Sequence, residues 1–171
     1  CAHGTADGVG GVDTTDGRVR WVDSRGTDAV DSRLFGAATG GDGRVVFAPW
    51  VAGGVGVFDP RDDNFTLVDI SSTIIINNKF AGAATASDGR VVFAPYKADG
   101  VGVFDPTDDS FTLVDISSTI TVDNKFSGAA TAGDGRVVFA PWVAGGVGVF
   151  DPRDAHFTLV DISSTIIINH Q

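Results

Sequence analysis

Three large aromatic side chains, Trp50, Tyr96 and Trp142, recur at intervals of 46 residues, each directly after a proline. A flat ring repeated at one place in a fold can stack on a ligand or pack against its neighbouring loop. Beside the middle ring stand Lys97 and Asp99, a cation and an anion able to hydrogen-bond a polar ligand. The flanking copies carry Val51 and Gly53, and Val143 and Gly145, at those places. Trp50, Tyr96, Lys97, Asp99 and Trp142 are therefore the candidate ligand-binding set.

The other reactive residue types lead to blander readings. Asp59, Asp62 and Asp63 cluster and recur as Asp105, Asp108 and Asp109. Calcium takes about six to eight oxygens, usually at alternating loop positions with a glycine at the bend, and this spacing does not supply them. Turn chemistry suits these residues better, because a short carboxylate bonds nearby backbone N–H groups. His3, His156 and His170 hold no equivalent positions in the repeat, and no Cys/His zinc pattern is present. A nucleophile would need a base oriented by a third group, and Ser71-Ser72-Thr73, though repeated, has no histidine repeating near it. That segment reads as a polar connection between repeats. No catalytic residue, metal ligand or cofactor is expected. Asn64-Phe65-Thr66 is a glycosylation sequon, of consequence only in a chain secreted from a eukaryotic cell.

The elements that must position these residues follow from the repeat. Gly36-Ala37-Ala38-Thr39 returns without gaps as Gly82-Ala83-Ala84-Thr85 and Gly128-Ala129-Ala130-Thr131. Residues 36–79 and 128–171 differ at five of 44 positions: Gly40/Ala132, Asp63/Ala155, Asn64/His156, Asn78/His170 and Lys79/Gln171. Such similarity marks recent duplication or design. The chain divides into repeats 36–81, 82–127 and 128–171, preceded by residues 1–35, which read as the degraded latter part of a repeat. Ala6-Asp7-Gly8-Val9-Gly10 matches Ala98-Asp99-Gly100-Val101-Gly102 in that frame.

In the middle repeat the spacing predicts strands at 82–86, 90–94, 101–104 and 111–116. Asp88-Gly89 predicts a two-residue type I′ hairpin turn, as do Asp42-Gly43 and Asp134-Gly135. Pro95 closes the second strand, since it cannot donate to a ladder. Three hairpin connections make a four-stranded meander. The second strand is apolar on both faces, Val45 and Phe47 on one and Val46 and Ala48 on the other, as suits a sheet held between two others. Val45, Phe47, Val57, Phe58, Phe65 and Leu67, with their equivalents, are the expected core.

Small first strands followed by strands rich in valine and phenylalanine suit a wedge whose narrow end crowds an axis, the taper of a propeller blade. Residues 36–171 thus resemble the β-propeller repeat families, WD40/kelch-like in outline and including the kelch and NHL-like repeats. They depart from the named signatures, with Val68-Asp69 where a Trp-Asp dipeptide would stand and no kelch double glycine after a hydrophobic strand. The expected fold is all-β, a β-propeller of four-stranded antiparallel blades forming an incomplete ring within one chain.

Lectin-like propellers resemble this aromatic pattern, using rim aromatics to stack on the apolar faces of sugars. The resemblance implies a non-enzymatic binding module with repeated rim sites for a glycan or an extended protein segment. The alternative is a structural, self-assembling scaffold with no small ligand; a propeller enzyme would need residues that break the repeat.

Composition bounds the partners. Net charge is -10 and all 22 acidic residues are aspartate. Nucleic acid and anionic membranes are excluded as expectations, because both require clustered Lys and Arg. No window approaches the ~18 apolar residues of a membrane helix. The acidic, lysine-poor composition points toward a saline or extracellular setting. Cys1, the single cysteine, has no partner within the chain and can pair only between chains. The chain opens on Cys1, not Met, as a processed product, a fragment or an engineered chain would. Three and a half repeats are too few for a ring of about four to eight blades, so self-association is expected. A dimer is the simplest form, with the remaining blades of a longer chain as the rival.

Overall fold

A computed structural model of the chain describes residues 8–12, 19–23 and 34–164. Strands β1 (Gly8–Val12) and β2 (Val19–Asp23) pair antiparallel as a two-stranded sheet. The remaining strands form three four-stranded antiparallel sheets in which each strand pairs with its successor in sequence. The first blade holds β3 (Leu34–Thr39), β4 (Val45–Pro49), β5 (Gly54–Asp59) and β6 (Asn64–Asp69). The second holds β7 (Phe80–Thr85), β8 (Val91–Pro95), β9 (Gly100–Asp105) and β10 (Ser110–Asp115); the third holds β11 (Phe126–Thr131), β12 (Val137–Pro141), β13 (Gly146–Asp151) and β14 (His156–Asp161). The fold is all-β, as the repeat implied.

The first strand of each blade begins earlier than its glycine suggested. In the second blade Phe80 already pairs with Pro95, and the register then shifts before Ala83 meets Phe93. The shift lets Phe80 turn inward, fully buried, onto Phe93 and Phe111 at ring-centroid distances of 5.6 and 6.1 Å. Gly102 makes room for this cluster, since a methyl there would stand 2.9 Å from both Phe80 and Phe93.

The expected type I′ turn does not form. Ala86 N–H donates to the Arg90 carbonyl and Gly89 N–H to the Ala86 carbonyl, which leaves a loop of three residues, 87–89. Gly89 alone in this loop takes a positive φ, 88°. The Asp88 carboxylate accepts the Arg90 N–H at 3.1 Å, a local bond that suits Asp at an ordinary φ and leaves the left-handed position to glycine.

Each blade has two unlike faces. One carries the phenylalanines; the other carries small aliphatics such as Ala84, Val92, Ala94, Val101 and Val103 in the second blade. The phenylalanine face of each following blade packs on the aliphatic face of the blade before it, so that Phe93 and Phe104 join Val46, Ala48, Val55 and Val57 in one core. Phe139 and Phe150 join Val92, Ala94, Val101 and Val103 in the next. At roughly 1.5–3 kcal/mol for each large side chain buried, these two seams are the main cohesion of the blade stack.

The expected core is correct at its centre and too generous at its edges. Phe93, Phe104, Phe139 and Phe150 are buried, but Leu67, Leu113 and Leu159 are half-buried in all three blades because they sit on the outermost strand. Val45, Phe58 and Phe65 are also half-buried.

Inner strands of adjacent blades touch backbone to backbone at Gly36, Gly82 and Gly128. Beside them, Thr85 Oγ1 donates to the Thr39 carbonyl at 2.6 Å and Thr131 Oγ1 to the Thr85 carbonyl at 2.5 Å. At the blade ends formed by the hairpin turns, Arg44 donates to the Pro106 carbonyl and Arg90 to the Pro152 carbonyl of the next blade.

Candidate functional site: an aromatic belt at one end of the blades

The second strand of each blade ends beside the start of the first, as Pro95 opposite Phe80 shows. The loops after β4, β8 and β12 therefore share one end of the blades with the connections entering β7 and β11. Backbone hydrogen bonds stitch these segments together. Lys79 N–H donates to the Trp50 carbonyl at 3.0 Å, Tyr96 N–H to the Lys79 carbonyl at 2.8 Å, Lys125 N–H to the Tyr96 carbonyl at 2.9 Å and Trp142 N–H to the Lys125 carbonyl at 2.9 Å. Trp50, Lys79, Tyr96, Lys125 and Trp142 thus form one continuous belt across three blades.

The rings on this belt differ in their surroundings. Trp50 lies between Phe35, 5.2 Å away, and Tyr96, 4.7 Å away and tilted by 50°. It is half-buried, so packing between neighbours accounts for part of its role. Trp142 is 67% exposed and has no ring neighbour among the described residues. Neither indole is enclosed by its own blade.

The polar members of the set are both on the belt, but they do not pair with each other. Lys97 Nζ lies 3.8 Å from Asp123, and both side chains are exposed. Asp99 Oδ1 lies 3.5 Å from Lys125 Nζ, whose side chain is wholly buried while that of Asp99 is open to water. In the first blade, where Gly53 replaces Asp99, the equivalent Lys79 donates from Nζ to the Ala52 carbonyl at 2.9 Å. Burial pushes the Lys79 ammonium below its usual range.

Sequence reasoning named Trp50, Tyr96, Lys97, Asp99 and Trp142, and missed Phe35, Lys79, Asp123 and Lys125. A signal for the lysines existed: Asn78-Lys79-Phe80 recurs as Asn124-Lys125-Phe126, one full repeat later. Asn78 and Asn124 take left-handed backbone conformations, with φ of 58° and 57°, that deliver each lysine into the seam.

The opposite end of the blades is acidic and locally satisfied. Asp59, Asp62, Asp105, Asp108, Asp151 and Asp154 each accept the backbone N–H two residues on. Arg61 also hydrogen-bonds Asp59, and Arg153 hydrogen-bonds Asp151; these side-chain bonds, followed by the backbone ones, pull both carboxyls down to about 2. His156 lies at this end, exposed. His3 and His170 fall outside the described residues.

No family model matches the chain, and no curated protein matches it. Solved structures do. Virginiamycin B lyase from Staphylococcus aureus superposes with a TM-score of 0.73 at 14% identity, over 91% of this chain and 49% of the lyase. A streptogramin B lyase gives 0.74 at 13%, over 91% of this chain and 48% of that one. The fold is a β-propeller with an incomplete ring. An auxiliary nutrient binding protein from Bacteroides ovatus gives a TM-score of 0.59 at 10% identity, over 88% of this chain and 35% of that one. The chain spans about half the length of the lyases it matches. The likeness is one of architecture, and the finer resemblance to kelch and NHL-like repeats gains no support from it.

One sequence-based reading is overturned by these comparisons. The chain was expected to be no enzyme, yet two of these three propellers are lyases. The expectation rested on the lack of a repeated nucleophile–base set. An enzyme site that breaks the repeat is untouched by that reasoning, and the fold is one that supports catalysis.

Proposed function

We propose that the chain is part of a ligand-binding propeller, that the aromatic belt is its binding face, and that carbohydrate is its ligand class. The observation that carries this reading is the indole of Trp142, 67% exposed at the end of the backbone belt that also holds the Trp50–Tyr96 pair. An exposed ring face suits the C–H face of a pyranose. At the same end of the blades the exposed groups of Lys97, Asp99 and Asp123 offer both donors and acceptors to sugar hydroxyls. Repeated shallow sites on one rim gain by avidity what each lacks in affinity. A nutrient-binding protein among the propellers of similar fold is consistent with this use.

Fluorescence titration against a panel of oligosaccharides tests the reading. A binding sugar is expected to quench tryptophan emission, and Trp142→Ala, whose ring touches no other ring among the described residues, is expected to weaken binding at least tenfold. A panel without a ligand, or a ligand held equally well by Trp142→Ala, would overturn it. Capture of an extended peptide in place of any sugar would overturn the carbohydrate assignment while leaving the belt as a binding face.

A further inference from the structure

Among the described residues, the aliphatic face of the third blade lacks the cover that the same face has in the first two blades. In the second blade Ala84, Val92, Ala94, Val101 and Val103 are buried under the phenylalanines of the third. Their counterparts in the third blade, Ala130, Val138, Ala140, Val147 and Val149, are half-buried or exposed, and Val160 beside them is 47% exposed. Soluble proteins avoid contiguous apolar surface of this kind. The phenylalanine face of the first blade is also less covered than its equivalents: Phe58 is half-buried where Phe104 and Phe150 are fully buried.

Two junction devices stand idle on the same side of the third blade. A methyl on Gly36 or Gly82 would stand 3.0 or 2.8 Å from the next blade's glycine, whereas at Gly128 it would meet only Ala140 of its own sheet, at 3.9 Å. Arg44 and Arg90 reach proline carbonyls of the following blade, whereas Arg136 pairs with its own Asp134, and its side chain is 45% exposed against 17% and 32% for the other two.

We propose that a second copy of this chain closes the ring, its first-blade phenylalanine face covering the open aliphatic face of the third. The two faces lie at opposite ends of one chain and match the pair already joined twice within it. They form a head-to-tail contact, which closes into a symmetric ring when the rotation permits. Each copy has three four-stranded blades among its described residues, so two copies bring six together, within the range of about four to eight that closed propellers use. At each of two equivalent junctions, Gly128 lies against Gly36 of the other copy and Arg136 reaches the Pro60 carbonyl. This inference goes beyond the binding reading and needs no ligand; in the closed ring Trp50 of the other copy stands beside Trp142 as Tyr96 stands beside Trp50, which leaves Trp142 a half-buried ring of the belt, as Trp50 is.

Light scattering on the purified chain, in reducing buffer so that Cys1 pairing cannot supply the mass, tests it. A folded species of twice the chain mass is expected. Gly128→Val, which adds bulk where the isolated chain has room, and Arg136→Glu, at a side chain exposed to water, are each expected to weaken the dimer at least tenfold with the circular dichroism of a β protein retained. Arg136→Glu keeps the test decisive should Gly128→Val fail to fold. A folded monomer, an assembly larger than two, or a dimer indifferent to Arg136→Glu would overturn the proposal.

Discussion

A methyl group on Gly82 would stand 2.8 Å from the Cα of Gly128, so the inner strands of adjacent blades approach closer than any side chain permits. Gly82→Ala must push the second and third blades apart along the seam where Thr131 bonds Thr85. Overpacking of this kind costs about 1–3 kcal/mol. Urea denaturation is expected to show a loss in that range, and an unchanged midpoint would contradict the close approach.

Phe93 is fully buried, with Phe80 at 5.6 Å and Phe111 at 6.4 Å. Phe93→Ala is expected to cost about 3–5 kcal/mol, the usual penalty for emptying an aromatic site in a packed core. Leu67→Ala, on a half-buried edge, is expected to cost clearly less. Equal losses for the two variants would mean that the seam between blades is not where cohesion resides.

Ala155 takes a φ of 56° in a turn where the equivalent residues are Asp63 and Asp109. A left-handed conformation costs an alanine roughly 1–2 kcal/mol, and glycine is free of that steric cost. Ala155→Gly is accordingly expected to stabilise the chain by about 1 kcal/mol, read as a rise in thermal midpoint. A lowered midpoint would place the strain elsewhere.

The carboxyls of Asp59 and Asp151 are held at about 2, against an ordinary 3.8, chiefly by the side chains of Arg61 and Arg153. A folded-state value below the unfolded one gives stability that is present above 3.8 and lost as pH falls toward 2. Both carboxylates are half-buried at surface turns, but their arginine partners are open to water, so the effect is small and screened by salt. A double variant, Asp59→Asn with Asp151→Asn, is expected to flatten the acid limb of a stability–pH curve in that window. An acid limb of unchanged slope would assign the pH dependence to other carboxyls.

How far the sequence could be read follows from which forces act locally. Strand order and the two-faced sheets were legible, because apolar recurrence at 46 residues reports burial directly. The hairpin type was not, since the Asp88 carboxylate competes for the Arg90 N–H and moves the positive φ onto Gly89 alone. Phe80 was overlooked as a strand residue because the register shift after it breaks the alternation used to find strands. Lys79 and Lys125 were invisible to hydrophobic patterning. Each buries its stem in a seam and satisfies its ammonium on a group from the neighbouring blade, the Ala52 carbonyl or Asp99, that proximity in sequence does not reveal. At the belt, Trp50 and Trp142 are the same residue in near-identical repeats, yet one lies between two rings and the other is exposed. That difference comes from which blade stands beside each, a fact of assembly and not of local sequence.

The central claim is that ligand is held at the aromatic end of the blades and not at the aspartate-rich turns. A glycan array probed with the wild-type chain, with Tyr96→Ala and Trp142→Ala, and with Arg61→Ala and Arg153→Ala at the opposite end tests it most directly. The expected result is a defined set of bound glycans, lost in both belt variants and kept in both turn variants. Binding that survives the belt variants and disappears with Arg61 or Arg153 would contradict the account.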